Sequence, residues 1–250
     1  MPLTFPSHAA AVWPLHRLAP RVLPAAALIV GSCTPDFAYL IGFSGLFTHS
    51  LAGTVFFSLP SGLLALTWLE LCAPLLRPAM PRLLGRPLAE LLRTWFFPRS
   101  PRQWAQTALA LWLGALTHLL WDGFTHRTRW PARVLYPGQT VELPLNWGEI
   151  PLANLLQHAS TVVGLVLMAL WLVRARPAVT AEIADIDRRA QVTLLLATTL
   201  GAAFSVHFDE RATANTWELF WACARGALFS VTAWCAFKAM RRPANENLQP

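Results

Sequence analysis

The sequence predicts an all-α fold, a polytopic integral membrane bundle of about six spans plus a short N-terminal helix, and three observations lead there. Of its 250 residues 55% are hydrophobic and only 13% charged, with a mean hydropathy of +0.42, whereas soluble domains carry about 25% charged residues. Apolar runs of about 20 residues, the length that crosses a bilayer, recur along the whole chain. Arginines fall between those runs, which is how basic residues set membrane topology. A single integral membrane domain over residues 1–250 is therefore expected.

The net charge of +7 and pI near 10.2 come almost wholly from arginine. Their placement between apolar runs speaks for topology and membrane lipids and against nucleic acid as a partner. Cys33, Cys72, Cys223 and Cys235 sit in or beside apolar spans without C-x-x-C spacing, so they read as buried thiols and not as a disulfide framework. Trp95, Trp104, Trp130, Trp147 and Trp217 fall near span ends, where indole rings favour the membrane interface.

The N-terminal segment to Pro20 is too short and too rich in proline to span a membrane; Ser7 is placed to cap a short helix from His8 to His16. The first span is expected from Val22 to Phe43, broken at Thr34-Pro35-Asp36, because proline lacks a backbone donor and disfavours helix in the residue before it. Arg17, Arg21 and the Val-Gly-Ser before Cys33 also spell a weak lipoprotein signal, which the spans that follow disfavour. The second span runs from Leu51 to Leu76. After it, Arg77, Arg82, Arg86, Arg93, Arg99 and Arg102 against the single acid Glu90 mark a cytoplasmic connection.

The third span, Trp104 to about Phe124, is followed by a long loop to Asn154, and the fourth runs from Leu155 to Val173. A mixed connection then carries Arg174, Arg176, Arg188 and Arg189 beside Glu182, Asp185 and Asp187. The fifth span is Val192 to Val206, an acidic turn holds Asp209 and Glu210, and the sixth is Trp217 to Phe237, closed by Lys238, Arg241 and Arg242. Both termini then lie in the cytoplasm, and only Arg127, Arg129 and Arg133, in the third-to-fourth loop, violate the charge rule.

The run from Leu113 to Arg127 concentrates ionisable groups in apolar surroundings. His118 and Asp122, one helical turn apart, share a face about 6 Å apart along the axis, close enough to hold one metal ion together. His126 is a further turn on, about 12 Å from His118 in a straight helix. Either Gly123 ends the helix or the site holds more than one metal. A polar stripe bonding neighbouring helices is the plain alternative.

Asp36, His49, His118, Asp122, His126 and, less firmly, His158 all fall near the outer ends of their spans. Acids and imidazoles at membrane depth are expensive unless paired or metal-bound, so their grouping marks a candidate site. Imidazole nitrogen with carboxylate oxygen, and no thiolate, suits zinc, manganese or iron, with zinc the most economical. His16 and His207 read as interfacial.

Pro2-x-Thr4-x-x-x-His8, Pro35-Asp36, His49-Ser50, the run Gly114-Ala-Leu-Thr-His118-x-x-x-Asp122-x-x-x-His126-Arg127 and Leu155-Leu-Gln-His-x-Ser160 together resemble a bacterial family of multi-pass membrane proteins of unknown function. The pattern is in turn similar to the membrane-bound metal-dependent hydrolases of the bacterial inner membrane. The resemblance covers residues 1–175 and leaves 176–250 as two further spans with a basic tail. It implies metal ligands at His8, Asp36, His49, His118 and Asp122, leaves His126 open, and implies no substrate. His8 precedes the first span, so it reaches the other ligands only if residues 8–17 fold back along 23–34 as a helical hairpin; otherwise it is not a ligand.

The expected function is metal-dependent hydrolysis, with Asp36 or Asp122 as base and Arg127, Arg129 and Arg133 binding an anionic, lipid-linked group such as a phosphoester. The arginines serve equally well as lipid-headgroup contacts. The alternative is a metal or proton transporter, or a scaffold, using the same cluster. Helix is expected to persist through Thr125, with His126 at the mouth of the pocket in a catalytic or substrate-contacting role.

Overall fold

The computed structural model describes residues 4–79, 98–144, 148–174, 187–209, 211–212 and 214–241. Pro2, Arg82, Arg86, Glu90, Arg93, Trp95, Trp147, Arg176, Glu182, Asp185, Glu210 and Arg242, invoked above for motif or topology, lie outside the described residues. The chain forms two compact units, Leu3–Leu66 with Arg93–Arg174 and Thr67–Leu92 with Ala175–Pro250.

In the first unit, the N-terminal segment is two helices, α1 (Thr4–Ala11) and α2 (Trp13–Leu18), and not one. Ser7 lies inside α1, while Pro14 in the first turn of α2 supplies no backbone donor to a continuous helix. The chain then reverses through residues 19–23, where the Val22 and Leu23 amides donate to Ala19 O at 3.0 and 2.9 Å. His16 Nδ1 donates to Leu23 O at 2.9 Å and pins the reversal. This is the fold-back that brings α1 alongside α3 (Ala25–Cys33).

The break expected at Thr34-Pro35-Asp36 is present as a 3-10 turn leading into α4 (Phe37–Leu40). Side chains satisfy the carbonyls that the break exposes: Thr34 Oγ1 donates to Gly31 O and Thr48 Oγ1 to Pro35 O, both at 2.7 Å. The apolar stretch Ala25–Leu40 rises only about 24 Å, short of a hydrocarbon core of about 30 Å.

Ser50 caps α5 (Leu51–Phe56) by accepting from Gly53 N at 3.0 Å, and α6 (Ser58–Leu76) resumes after Phe57. Ser100 caps α7 (Pro101–Thr125), with Pro101 in the first turn where its missing N–H is harmless. Beyond α7 come α8 (Ala132–Leu135), then β1 (Thr140–Glu142) antiparallel to β2 (Glu149–Pro151) with Val141 opposite Ile150, and finally α9 (Leu152–Arg174).

The tightest packing in this unit is α3 on α7. A Cβ at Gly31 would strike the Leu111 backbone, and one at Gly114 would strike Leu28 O and Ser32 N. Small residues at a helix crossing let backbones approach and replace the hydrophobic drive that is weak between helices in lipid. On its other side α1 rests on α9, with Ser7 against Gly164.

In the second unit Asp187 caps α10 (Arg188–Phe208) and Asn215 caps α11 (Thr216–Met240). These two cross at Gly201 and Gly226, each of which faces the other's carbonyl. Cys72, Leu76, Ala79, Ala190, Trp234 and Cys235 form the core of this unit. Trp68 Nε1 donates to Thr232 Oγ1 at 2.9 Å and Trp234 Nε1 to Thr193 Oγ1 at 3.1 Å, so these two indoles find their partners within the unit. The cysteines are free thiols.

Among the described residues, four segments are long and apolar enough to cross a membrane, Leu51–Leu76, Leu152–Trp171, Arg188–Phe208 and Thr216–Met240. Their outward faces carry exposed Leu195, Leu200, Phe204 and Phe229, which suits lipid and not water. Helix α7 rises about 37 Å, enough to span, but Gln103, Gln106, His118 and Asp122 dilute its apolar run.

Candidate metal centre

Five ionisable side chains from four separate stretches meet inside the first unit. His8 comes from α1, Asp36 from the 3-10 turn, His49 from the loop before α5, and His118 and Asp122 from one face of α7. His8, Asp36, His118 and Asp122 are all buried. The reversal at residues 19–23 is what brings His8 to this level.

Backbone carbonyls orient both central imidazoles. His118 Nδ1 donates to Ser32 O and His49 Nδ1 to Gly45 O, each at 2.8 Å. A histidine whose Nδ1 carries the proton presents an unprotonated Nε2, and such second partners are what fix metal-ligating rings. The two Nε2 atoms face each other at 3.3 Å. With each Nδ1 proton held by a carbonyl, the facing Nε2 atoms and the carboxylates around them are left to share a cation, a proton or a metal ion.

The carboxylates complete the arrangement. His49 Nε2 lies 3.2 Å from Asp36 Oδ1 and 3.5 Å from Asp122 Oδ2; His118 Nε2 lies 3.7 and 3.5 Å from the same two atoms. Four ligands about 2.0–2.1 Å from a tetrahedral zinc would be separated by about 3.3–3.4 Å. The imidazole separations, 3.2 to 3.7 Å, scatter about that value. The donor set thus fits a divalent ion.

Asp122 has a second oxygen, and it looks the other way. Its Oδ1 is 3.7 Å from His8 Nε2 and 3.5 Å from His126 Nδ1. The His8 ring stacks on His118 with centroids 4.0 Å apart, and its Nδ1 is buried without a hydrogen-bond partner. Helix α7 runs through Gly123 to Thr125, and His126 is its extended C-cap, with its backbone amide on Asp122 O at 2.9 Å. Burial lowers the His126 pKa, opposed by the charge of Asp122.

The profile of a domain of unknown function, DUF4184, matches residues 1–236. The chain belongs to that family. Curated proteins and solved structures yield no match. The DUF4184 match takes in all of His8, Asp36, His49, His118, Asp122 and His126 and assigns them no activity.

Beside the His/Asp cluster of this DUF4184 chain is a cavity of about 500 Å³ lined by His49, Leu51, Leu116, Leu120, Arg129 and Trp130. Of the three arginines expected near the site, only Arg129 lines this wall; Arg127 and Arg133 are exposed. Gly123 allows this wall to form, since a Cβ there would meet Trp130 O and Pro131.

Gln157 was not anticipated. Its amide lies 3.3 Å from His126 Nε2, whereas His158, the residue singled out from that motif, is the next position along α9 and half-buried. Tyr39, also unanticipated, has its ring 6.0 Å from that of His49. The apolar flanks of both hide the signal, although the resemblance motif Leu-Gln-His-x-Ser contains Gln157.

Proposed function

We propose that this chain is a membrane-bound metal-dependent hydrolase of the bacterial inner membrane, acting on an anionic, lipid-linked substrate such as a phosphoester. The observation that carries this reading is the pair of imidazole nitrogens, His49 Nε2 and His118 Nε2, held 3.3 Å apart between two carboxylates while both Nδ1 atoms donate to backbone carbonyls. Asp36, His49, His118 and Asp122 Oδ2 would hold the ion, and zinc suits this nitrogen and oxygen set best. When bound, such an ion supplies Lewis acidity, which acidifies water and polarises a phosphoryl or acyl oxygen.

The chain's own groups do the rest. Arg129 in the cavity wall pairs with the anionic group, and Leu51, Leu116, Leu120 and Trp130 accept an apolar tail and exclude water. A carboxylate oxygen of Asp36 or Asp122 takes the proton of the attacking water. His126, half-buried and bonded to Gln157, is the group assigned here to give the leaving group its proton.

Elemental analysis of the purified full-length protein tests this directly. Wild type should carry stoichiometric divalent metal and His118→Ala should lose it, and chelation should stop hydrolysis of anionic phospholipid in mixed micelles until zinc is restored. Wild type that binds no divalent ion even after zinc reconstitution would overturn the reading. For the topology, six spans with both termini cytoplasmic, reporter fusions after Arg86 and after Glu142 should report opposite sides; the same side for both excludes it.

A further inference from the structure

We infer that the furrow between α10 and α11 binds one anionic phospholipid, which lays an acyl chain along the furrow and sets its phosphate against Arg211 and Arg225. The site lies wholly within the second unit, and the inference stands independently of the metal reading.

Three observations carry it. The first is shape. A cavity of about 1200 Å³ follows the crossing of the two helices. Ala197, Gly201, Ser205 and Asp209 line it at steps of four along α10, which is one helical face. Gly201 and Gly226 give it no side chain, while Phe204, Phe208 and Phe229, 65, 66 and 76% exposed, line it with rings open to the surroundings. From Ala197 to Asp209 the helix rises about 18 Å, close to half of a hydrocarbon core of about 30 Å. The furrow is thus about as long as one leaflet is deep, the reach of a single acyl chain.

The second observation is charge at one end only. Asp209, the C-cap of α10, forms an ion pair with Arg225 from α11 and accepts the Arg211 backbone amide on Oδ1 at 3.0 Å. These three are the only ionisable groups among the described residues that line the cavity. Two guanidiniums against one carboxylate leave that end net positive.

The third is how this charge sorts the occupants. Every lipid in a bilayer offers an apolar tail, so what separates a held lipid from its neighbours is the head. Guanidinium matches phosphate through paired N–H donors, and a zwitterionic head brings its own ammonium to a place already positive and gains less there. A second copy of the chain fits worse. A two-fold axis along the membrane normal would set the two positive ends against each other at one depth.

Full-length protein, delipidated in detergent and offered phosphatidylglycerol or phosphatidylethanolamine with the same chains, tests this by native mass spectrometry, with chelator present throughout so that the metal centre takes no part. Wild type should hold one phosphatidylglycerol and prefer it about fivefold, the effect of one basic residue on an anionic lipid. Arg211→Gln should lose that preference. Ala233→Trp, which puts an indole into the cavity, should lose phosphatidylglycerol with unchanged thermal unfolding in lipid-free detergent. Arg188→Gln, an exposed arginine at the other end of α10, should keep the preference, and inorganic phosphate should not displace the lipid.

Equal retention of the two lipids by wild type overturns the inference, as does an intact preference in Arg211→Gln. Phosphatidylglycerol held by a folded Ala233→Trp puts the lipid elsewhere, displacement by inorganic phosphate makes the site one for a free anion, and a lipid-free dimer that Ala233→Trp dissociates makes the furrow an interface between copies; each of these overturns it as well. Should Ala233→Trp fail to fold, the exposed Arg211→Gln decides.

Discussion

Replacing Asp122 by alanine is expected to strip the protein of all tightly bound metal and of all hydrolytic activity, the largest effect of any single substitution in the chain. With His118 it touches the most of the centre: its two oxygens lie within 3.7 Å of His8, His49, His118 and His126. Loss of an outer-shell partner typically weakens metal binding about 10–100-fold. Removing a carboxylate that is itself a candidate ligand should exceed that, and competition against a zinc-chelating dye measures it. Asp122→Asn separates charge from shape, since it keeps the side-chain volume and one oxygen while removing the negative charge. It should weaken binding by less than alanine does but still by more than about 10-fold. A zinc affinity within threefold of wild type for Asp122→Ala would sink the metal reading of this cluster.

Because ligands must be unprotonated to bind, acid should release the metal and neutral pH should restore it.

What the sequence makes legible here is local, and what it hides is long-range. Thr34-Pro35-Asp36 shows as a break because proline carries its constraint with it wherever it sits. The end of α7 at Thr125 is readable from Trp130 and Pro131 a few residues on, since an indole favours a membrane interface and a proline disfavours helix before it. The i, i+4 pair His118 and Asp122 needs nothing beyond helical geometry.

His8 is different. Whether it joins the site depends on the chain reversing at residues 19–23 and on α1 seating Ser7 against Gly164 in α9, a contact between residues far apart in sequence. Gln157 stayed hidden behind His158 because adjacent helical residues point about 100° apart, and only the rotation of α9 decides which of them faces His126. Counting spans met a physical limit as well. Ala25–Leu40 is apolar throughout but too short and too broken to stand as a span by length and composition alone, while α7 is long enough but carries the site's own polar groups.

Substituting Gly31 by valine is expected to damage the metal centre without touching a ligand. The atom that a Cβ at this position would strike is backbone, the Leu111 carbonyl, so no rotamer change relieves it and α3 must move off α7. Overpacking of this kind costs about 1–3 kcal/mol where side chains can adjust, and a backbone obstacle puts the cost at the upper end or above. The displacement acts on the centre through two links. Ser32, the next residue, supplies the carbonyl that holds His118 Nδ1 at 2.8 Å, and Asp36, in the 3-10 turn that follows the same short helix, is itself a candidate ligand. Moving α3 therefore loosens the ring orientation of His118 and withdraws a carboxylate in one step. Gly31→Val should lower the unfolding temperature in detergent and weaken zinc binding together, by at least about the 10-fold seen for loss of an orienting partner. Leu109→Ala, an exposed change on α7, should alter neither. Wild-type zinc affinity in a Gly31→Val protein that has lost stability would show that the helix crossing and the centre are independent, and that the close approach of α3 to α7 serves packing alone.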